Sequence, residues 1–210
     1  MSPSEKKISI AVLASGSGTN LEAIAQAIEE GEVPATIAIV ISDNPDAFAL
    51  ERAGRRGIPT KVIGLDDHPD RPAFDRAIRE TLQEAGVDLV VLAGYMKLVG
   101  PEILDAFSGR MMNIHPALLP SFPGERGVND ALEHGVKVSG VTVHFVDEGL
   151  DTGPIIVQEA VPVEEDDDEE SLLGRIHLAE YRAYPLAIKL FAQGRLRIEG
   201  RTVKILPPLP

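Results

Sequence analysis

The sequence predicts an α/β fold: a doubly wound, mostly parallel open sheet with an antiparallel C-terminal extension. In the first half, short runs rich in Val, Ile and Leu alternate with amphipathic helical stretches, the pattern of parallel strands buried on both faces. The expected strands are 8–13, 36–41, 60–63 and 89–92, and the expected helices are 20–30, 48–56 and 71–85. Ligands of such a sheet bind beyond the carboxyl ends of its strands.

The second half of the chain has a different pattern. Two long strands are expected on either side of a loop, followed by a long helix and a hairpin that turns at Gly200. Their ranges are 138–146, 155–163, 171–193 and 198–205. No repeat or long linker divides the chain, so we expect a single domain over 1–210. Within it we distinguish a phosphate-binding half over 1–95, a second half over 96–205, and a loose, proline-rich tail over 206–210.

Composition narrows the classes of function. The chain has 210 residues, no cysteine, and 33 acidic against 20 basic side chains, a net charge of −13. Disulfides and thiolate metal sites are therefore impossible, and the acidic balance argues against a nucleic-acid partner. No signal peptide precedes the first strand and no apolar run is long enough for a membrane, so a cytoplasmic location is expected. We interpret the acidic run 164–170 as a solvated loop that enters a helix, not as a metal site.

A glycine-rich loop follows the first strand and opens the first helix. Its sequence is Ala-Ser-Gly-Ser-Gly-Thr-Asn-Leu over 14–21. Glycines allow a tight turn, and N–H groups at a helix N-terminus attract an anion, so we expect one phosphate here. The structural alternative is a plain turn in which Thr19 or Asn20 caps the helix. The other alternative is a dinucleotide site with Asp43 as its ribose acid, but the third glycine of that motif is missing.

The second motif is Asn113-Ile114-His115-Pro116, followed later by Asp151 in Asp-Thr-Gly-Pro. An amide and an imidazolium can hold an oxyanion, and a carboxylate can orient the imidazole and favour its charged form. On an extended segment, expected over 110–114, Asn113 and His115 share one face. The amide, the imidazole and the carboxylate together suit an enzyme that transfers an acyl group from one nitrogen atom to another. By spacing alone, Asp151 could equally be an ordinary turn residue. Of the other histidines, His144 is expected to pack in the core.

The segments 111–124 and 141–146, together with Asp151, resemble the folate-dependent formyltransferases, over about residues 8–203. The resemblance implies a Rossmann-like fold and no metal. It also implies formyl transfer from 10-formyltetrahydrofolate to the amine of 5′-phosphoribosylglycinamide, in purine (IMP) biosynthesis. Asn113, His115 and Asp151 would be catalytic, with His115 protonated. The partners would be small-molecule substrates, with no nucleic acid and no membrane, and the protein would be a monomer or weak homodimer.

The resemblance also assigns binding residues. For the ribotide these are Gly18, Thr19, Asn20, His177 and Glu180. For the folate they are Arg71, Met96, Lys97, Leu98, Val99, Asn113, Asp147, Glu148, Gly149 and Leu150. One departure concerns the segment 125–130, where the family commonly has a loop histidine and this chain has Arg126. Either proton transfer depends on His115 and Asp151 without the loop, or Arg126 binds an anionic part of the folate.

Other functions stay open on the sequence. A methionyl-tRNA formyltransferase would be expected to carry a further, basic C-terminal domain. A formyltetrahydrofolate hydrolase would lack the phosphate loop, and a sugar-nucleotide formyltransferase is a weaker match. From a different class, the first 95 residues could belong to a nucleotide-binding oxidoreductase. Because Arg126 lies where the family commonly has a loop histidine, the chain could also be a relative that has no catalytic activity.

Overall fold

The computed structural model describes residues 7–208. The chain divides into two compact units, the first ending at Met112 and the second beginning at Asn113. The first unit contains strands β1 (Ile8–Leu13), β2 (Ala35–Ser42), β3 (Thr60–Val62) and β4 (Leu89–Leu92). They lie in the order β3-β2-β1-β4 and every neighbouring pair is parallel. Because the chain moves outward from β1 in both directions, the predicted doubly wound parallel sheet is confirmed.

The helices of the first unit are α1 (Thr19–Glu29), α2 (Phe48–Arg55), α3 (Arg71–Glu84) and α4 (Pro101–Ala106), with a 3₁₀ turn at Leu65–Asp67. The first three agree with the predicted helices to within one residue, whereas α4 and the 3₁₀ turn were not expected. α3 shows why the periodic pattern works. Its buried Phe74, Ile78 and Leu82 recur every four residues, and Asp70 caps it by accepting a hydrogen bond from the Ala73 N–H at 2.8 Å.

β1 and β4 are buried as their composition predicts, whereas β2 is partly exposed near its start and β3 is exposed throughout. Residues 10–13 of β1 and 89–91 of β4 have no solvent exposure. All three residues of β3 are exposed, although we predicted burial on both faces. β3 lies at the end of the strand order, where one side has no neighbouring strand.

The second unit begins inside β5 (Met111–His115), the strand that carries Asn113 and His115, the residues predicted to be catalytic. It continues through α5 (Gly127–Glu133), β6 (Val138–Phe145), β7 (Ile155–Pro162), α6 (Glu169–Ala192), β8 (Leu196–Glu199) and β9 (Thr202–Ile205). β6 pairs with β7 and β8 with β9, both antiparallel, and β7 meets β9 in parallel at one position. The predicted antiparallel extension is therefore confirmed, while α5 was not expected.

The acidic run before α6 has structural roles. Asp168 is the N-cap of α6 and forms a capping box with Ser171, and Asp167 forms an ion pair with Arg175. The tail was predicted to be loose from residue 206, and this is wrong at Leu206. The Leu206 N–H donates to the Arg195 carbonyl and Arg195 Nε donates to the Leu206 carbonyl, both at 2.7 Å. Residues 209 and 210 of the tail lie outside the described residues.

No helix formed by residues 7–208 is both long enough and apolar enough to cross a membrane.

Candidate active site

The three predicted catalytic side chains meet in the second unit. Asn113 and His115 stand at the end of β5, and Asp151 lies in the loop between β6 and β7. Asn113 Nδ2 donates to Asp151 Oδ1 at 3.3 Å, and His115 Nδ1 lies 3.4 Å from Asp151 Oδ2. The Asp151 side chain is 8% exposed. An amide, an imidazole and a carboxylate thus form one largely buried polar cluster.

The backbone of the β6–β7 loop turns Asp151 toward this cluster. Asp151 has φ +54°, a left-handed conformation that Asp tolerates better than most residues. Asp147 ties the loop internally, since its Oδ1 accepts from Thr152 Oγ1 at 2.7 Å and from the Gly149 N–H at 3.1 Å. A Cβ at Gly153 would lie 1.7 Å from the Phe145 carbonyl oxygen, so glycine is required there. Asp147, predicted as a folate contact, therefore also supports the loop that carries Asp151.

A fourth polar side chain belongs to the cluster and was missed by sequence reasoning. His144 in β6 is buried, and its Nε2 lies 3.4 Å from Asn113 Nδ2 and 3.6 Å from Asp151 Oδ1. Its Nδ1 faces the Phe145 carbonyl oxygen at 2.8 Å, so Nδ1 carries a proton. The prediction of core packing is correct for its burial but incomplete. The available signal was the polar pair Thr142 and His144, which alternates with apolar residues in a strand that is buried from its second residue onward.

Burial and hydrogen bonding oppose each other in the protonation of this cluster. Burial raises the pKa of Asp151, but the neighbouring imidazole of His144, the hydrogen bond from the Gly124 N–H and the nearby His115 outweigh it and lower the pKa below its usual value. For His115 the balance is reversed. Burial lowers the pKa of the imidazole, against the raising effects of the Asp151 carboxylate and the Phe122 carbonyl. Asp151 thus favours the charged imidazole, as expected, but burial outweighs it in the free protein.

The segment after β5 is fixed by hydrogen bonds to β6 and β7. Thr142 Oγ1 donates to the Ala117 carbonyl at 2.7 Å and accepts from the Leu119 N–H at 3.0 Å. The Leu119–Pro120 peptide bond is cis. Further along, the carbonyl oxygen of Phe122 accepts a hydrogen bond from His115 Nε2 at 2.7 Å. Both ring nitrogens of His115 therefore face oxygen atoms: Nε2 is hydrogen-bonded to the Phe122 carbonyl, and Nδ1 lies at ion-pair distance from Asp151 Oδ2.

The predicted anion loop lies in the first unit, at the start of α1. Gly18 is the N-cap of α1, with φ +72°, and no side chain caps the helix. The interpretation in which Thr19 or Asn20 caps α1 is therefore wrong. The loop's carbonyl groups bind α2, because the Ala49 N–H donates to the Gly16 carbonyl at 3.0 Å and Arg52 Nε to the Ser17 carbonyl at 2.9 Å. The N–H groups of the first turn of α1 are the donors that an anion would use.

The Asp43 carboxylate, considered above as a ribose-binding group, already contacts other side chains of the protein. Its Oδ1 accepts a 2.5 Å hydrogen bond from Ser15 Oγ, its Oδ2 lies 3.6 Å from Lys97 Nζ, and the side chain is 7% exposed. A carboxylate held in this way is not available to a ribose hydroxyl. This counts against the dinucleotide interpretation.

The loop 94–99, predicted to bind folate, follows β4. Met96 and Leu98 expose 60% and 68% of their surface, which is unusual for large apolar residues and is consistent with a ligand contact. Arg71 contacts this loop from α3: it donates to the Leu98 carbonyl and, at 2.9 Å, to Asp75 Oδ1. Arg71 therefore positions the loop, whatever it contributes to the folate. Val99 is partly buried.

The remaining predicted binding residues lie in the second unit. Glu180 is buried and His177 stacks on Tyr181, both on α6, and burial lowers the pKa of His177. Glu148 and Leu150 are exposed in the loop before Asp151. Arg126, at the start of α5, pairs with Asp130 at 3.5 Å and with Glu133. Within residues 7–208 we find no group of three or more His, Asp or Glu side chains arranged to hold a metal ion.

Comparison with known proteins identifies the family. The model of the formyl transferase family matches residues 8–188. Phosphoribosylglycinamide formyltransferase of Bacillus subtilis is 46% identical over 179 residues, which cover 85% of this chain and 92% of that protein. The crystal structure of glycinamide ribonucleotide transformylase 1 from Symbiobacterium toebii superposes with a TM-score of 0.95 at 56% identity, covering 96% of this chain and 95% of that one.

Two further similarities bear on function. A formyltetrahydrofolate deformylase from Pseudomonas syringae shares the fold, with a TM-score of 0.90 at 26% identity over 97% of this chain and 67% of that one. The trifunctional purine biosynthetic proteins of Drosophila pseudoobscura and human are 45% and 44% identical, and this chain spans only 15% and 20% of their lengths. The family match covers most of the chain, including β5 and the loop that carries Asp151. The chain therefore belongs to the formyl transferase family.

Proposed function

We propose that this protein transfers a formyl group from 10-formyltetrahydrofolate to the amine of 5′-phosphoribosylglycinamide, a step of purine biosynthesis. The observation that carries the proposal is the buried cluster of Asn113, His115 and Asp151, with the carboxylate 3.3 Å from the amide and 3.4 Å from the imidazole. The relatives that match most of the chain are named for this reaction, which supports the choice of acceptor.

The reaction needs an amine nitrogen to attack the formyl carbon. A C–N bond forms, the carbonyl oxygen becomes an oxyanion, and the bond from that carbon to N10 of the folate then breaks. The Asn113 amide and the His115 imidazole are the donors suited to the oxyanion. In the free protein His115 Nε2 is hydrogen-bonded to the Phe122 carbonyl, so an oxyanion held at Nε2 would replace that carbonyl.

The attacking amine must lose a proton and N10 must gain one. The pKa of His115 lies below its usual value because the ring is buried, so a proton on the ring is held weakly and is readily donated. Asp151 remains ionised at neutral pH, since its pKa is also lowered. While the oxyanion forms, the charge of Asp151 stabilises the imidazolium form of His115. Asp151 can then take the proton from the attacking amine and pass it to N10 as the bond from the formyl carbon to N10 breaks.

The proposed function also assigns each part of the two substrates to a set of binding residues. The N–H groups at the start of α1, beside Gly18, Thr19 and Asn20, would take the phosphate of the ribotide, and His177 and Glu180 would take its ribose. The exposed Met96 and Leu98 would contact the folate, along with the loop 147–150.

Hydrolysis of 10-formyltetrahydrofolate is the second candidate, favoured by the structural similarity to the deformylase. The two reactions differ only in the acceptor, an amine or a water molecule. The lower identity to the deformylase, 26% against 56% for the transformylase, favours the amine.

One assay separates the two candidates. The purified protein is given 10-formyltetrahydrofolate with and without phosphoribosylglycinamide, and tetrahydrofolate, free formate and formylated ribotide are each quantified. We expect formylated ribotide in step with tetrahydrofolate, and little of either formate or tetrahydrofolate when the ribotide is left out. Formate release that is independent of the ribotide would favour hydrolysis. Asp105→Asn, which changes an exposed carboxylate at the end of α4, is the control variant and should behave as wild type.

A further inference from the structure

Hydrogen bonds centred on Asp43 join three loops of the first unit. The Met96 N–H donates to Ser15 Oγ at 2.8 Å, and the Ser15 hydroxyl donates to Asp43 Oδ1 at 2.5 Å. The second carboxylate oxygen of Asp43 lies 3.6 Å from the Lys97 ammonium group. We refer to Ser15, Asp43, Met96 and Lys97 as the Asp43 link. Its members follow β1, β2 and β4, which are neighbours in the order β2-β1-β4.

The link is a closed and well-satisfied network. Ser15 is also fixed through its backbone, since its N–H donates to the Gly94 carbonyl at 3.0 Å and its carbonyl accepts from Asn44 Nδ2 at 3.3 Å. Asp43 is 7% exposed, so its charge depends on the Ser15 hydroxyl and Lys97 for compensation. Displacing either partner would leave a buried carboxylate poorly solvated, so the three loops are expected to move together.

The two ends of the link lie beside two different proposed ligand sites. Ser15 immediately precedes the anion loop at Gly16, whereas Met96 and Lys97 belong to the loop 94–99 with its exposed apolar residues. A ligand that binds one loop in this arrangement would stabilise the closed link, because Ser15 adjoins one loop and Lys97 belongs to the other. The closed link would in turn hold the other loop in its present arrangement, so the second ligand would bind more tightly.

We propose that Asp43 is a positioning residue that couples the two substrates: binding at the loop 94–99 strengthens phosphate binding at the anion loop, and the reverse. This inference rests on the proposed function, which assigns the folate to one loop and the ribotide phosphate to the other. Asp43 touches neither substrate and acts through Ser15 and Lys97.

The test is a set of calorimetric titrations with tetrahydrofolate and phosphoribosylglycinamide, a pair that binds without turnover because no formyl group is present. Each ligand is titrated alone and in the presence of the other at saturation. In the wild type we expect each to strengthen the other by the same factor, about fivefold or more, because coupling is reciprocal. In Asp43→Ala the factor should fall to less than about twofold on the same scale.

Further variants separate coupling from general damage. Asp43→Asn should keep part of the coupling, because an amide oxygen can still accept the Ser15 hydroxyl. Ser15→Ala breaks the link from the other side and should also abolish the coupling, which keeps the test valid if Asp43→Ala does not fold. Asp46→Asn is the matched control: it changes an exposed carboxylate in the same loop and should retain the wild-type factor. A residue that only stabilised the fold would alter melting temperature and leave the coupling factor unchanged.

Three results would overturn the inference. If the wild type binds both ligands but independently, the proposed function stands and the coupling does not exist. If Asp43→Ala or Ser15→Ala keeps the wild-type factor, the coupling does not pass through the link. Should the wild type bind neither ligand, the proposed function fails, and the inference fails with it.

Discussion

Adding a single methyl group at Gly18 should damage this protein far more than the same change two residues earlier. Gly18 has φ +72°, and holding alanine in this left-handed region costs roughly 1–2 kcal/mol. A Cβ at Gly18 would also lie 2.7 Å from both Cα and Cβ of Ala49 in α2. Ala49 is fully buried, so relief requires α2 to shift, and overpacking of this kind costs about 1–3 kcal/mol. The two terms together predict a loss of about 2–5 kcal/mol for Gly18→Ala.

Gly16 provides the matched control within the same loop. A Cβ there would have no heavy atom within 4 Å, and its φ lies outside the left-handed region. Gly16→Ala should therefore change the free energy of unfolding by less than about 1 kcal/mol. The assay is urea denaturation followed by far-UV circular dichroism, comparing midpoints at equal slope. Equal midpoints for the two variants would refute the argument that α2 and the backbone conformation require glycine at position 18.

Three further outcomes are expected. Tyr95→Phe should leave the free energy of unfolding unchanged or raise it by about 1 kcal/mol in urea denaturation. The reason is that the buried Tyr95 hydroxyl has no hydrogen-bond partner among the described residues. A loss above about 1 kcal/mol would show that the hydroxyl does have a partner. Acidification from pH 7.5 to 5.5 should lower the free energy of unfolding, because the lowered pKa of His115 lets the unfolded chain bind a proton first. His115→Gln should flatten that slope, by at most about 1.4 kcal/mol per pH unit, and an unchanged slope would contradict it. Arg126→His should change turnover less than about tenfold, since Arg126 pairs with Glu133 on its own helix; a new titration in the pH–rate profile of that variant alone would mean that α5 reaches the chemistry.

Strands β1 and β4 were predictable because they are largely buried on both faces, which demands an unbroken apolar run. β1 and β4 were predicted with the bounds that the structure has. The two short helices were not predictable from periodicity. α4 buries only Ile103, and α5 buries little beyond Val128 and Ala131, so neither repeats an apolar position often enough to be detected.

Only those features of the candidate site that depend on local sequence spacing or on the family resemblance were predictable. Asn113 and His115 share a strand face because of their spacing, and the family resemblance added Asp151. The part played by His144 could not be deduced in the same way, because a strand pattern does not say which polar group a buried histidine faces. The partners of Asp43 were hidden for a similar reason: Ser15 and Lys97 are 28 and 54 positions away in the sequence, and only the strand order brings them together.

The central claim is that Asn113, His115 and Asp151 carry out the formyl transfer, and Asp151→Asn tests it most directly. The Asp151 carboxylate accepts from the Gly124 N–H at 2.8 Å, and the variant keeps its size while losing the charge. The measurement is the single-turnover rate of formyl transfer from 10-formyltetrahydrofolate to phosphoribosylglycinamide, with the dissociation constant of each substrate determined in parallel. The account predicts a rate lower by about a hundredfold or more, with both dissociation constants within about threefold of wild type, a shift below roughly 0.7 kcal/mol. A rate near that of the wild type would contradict it.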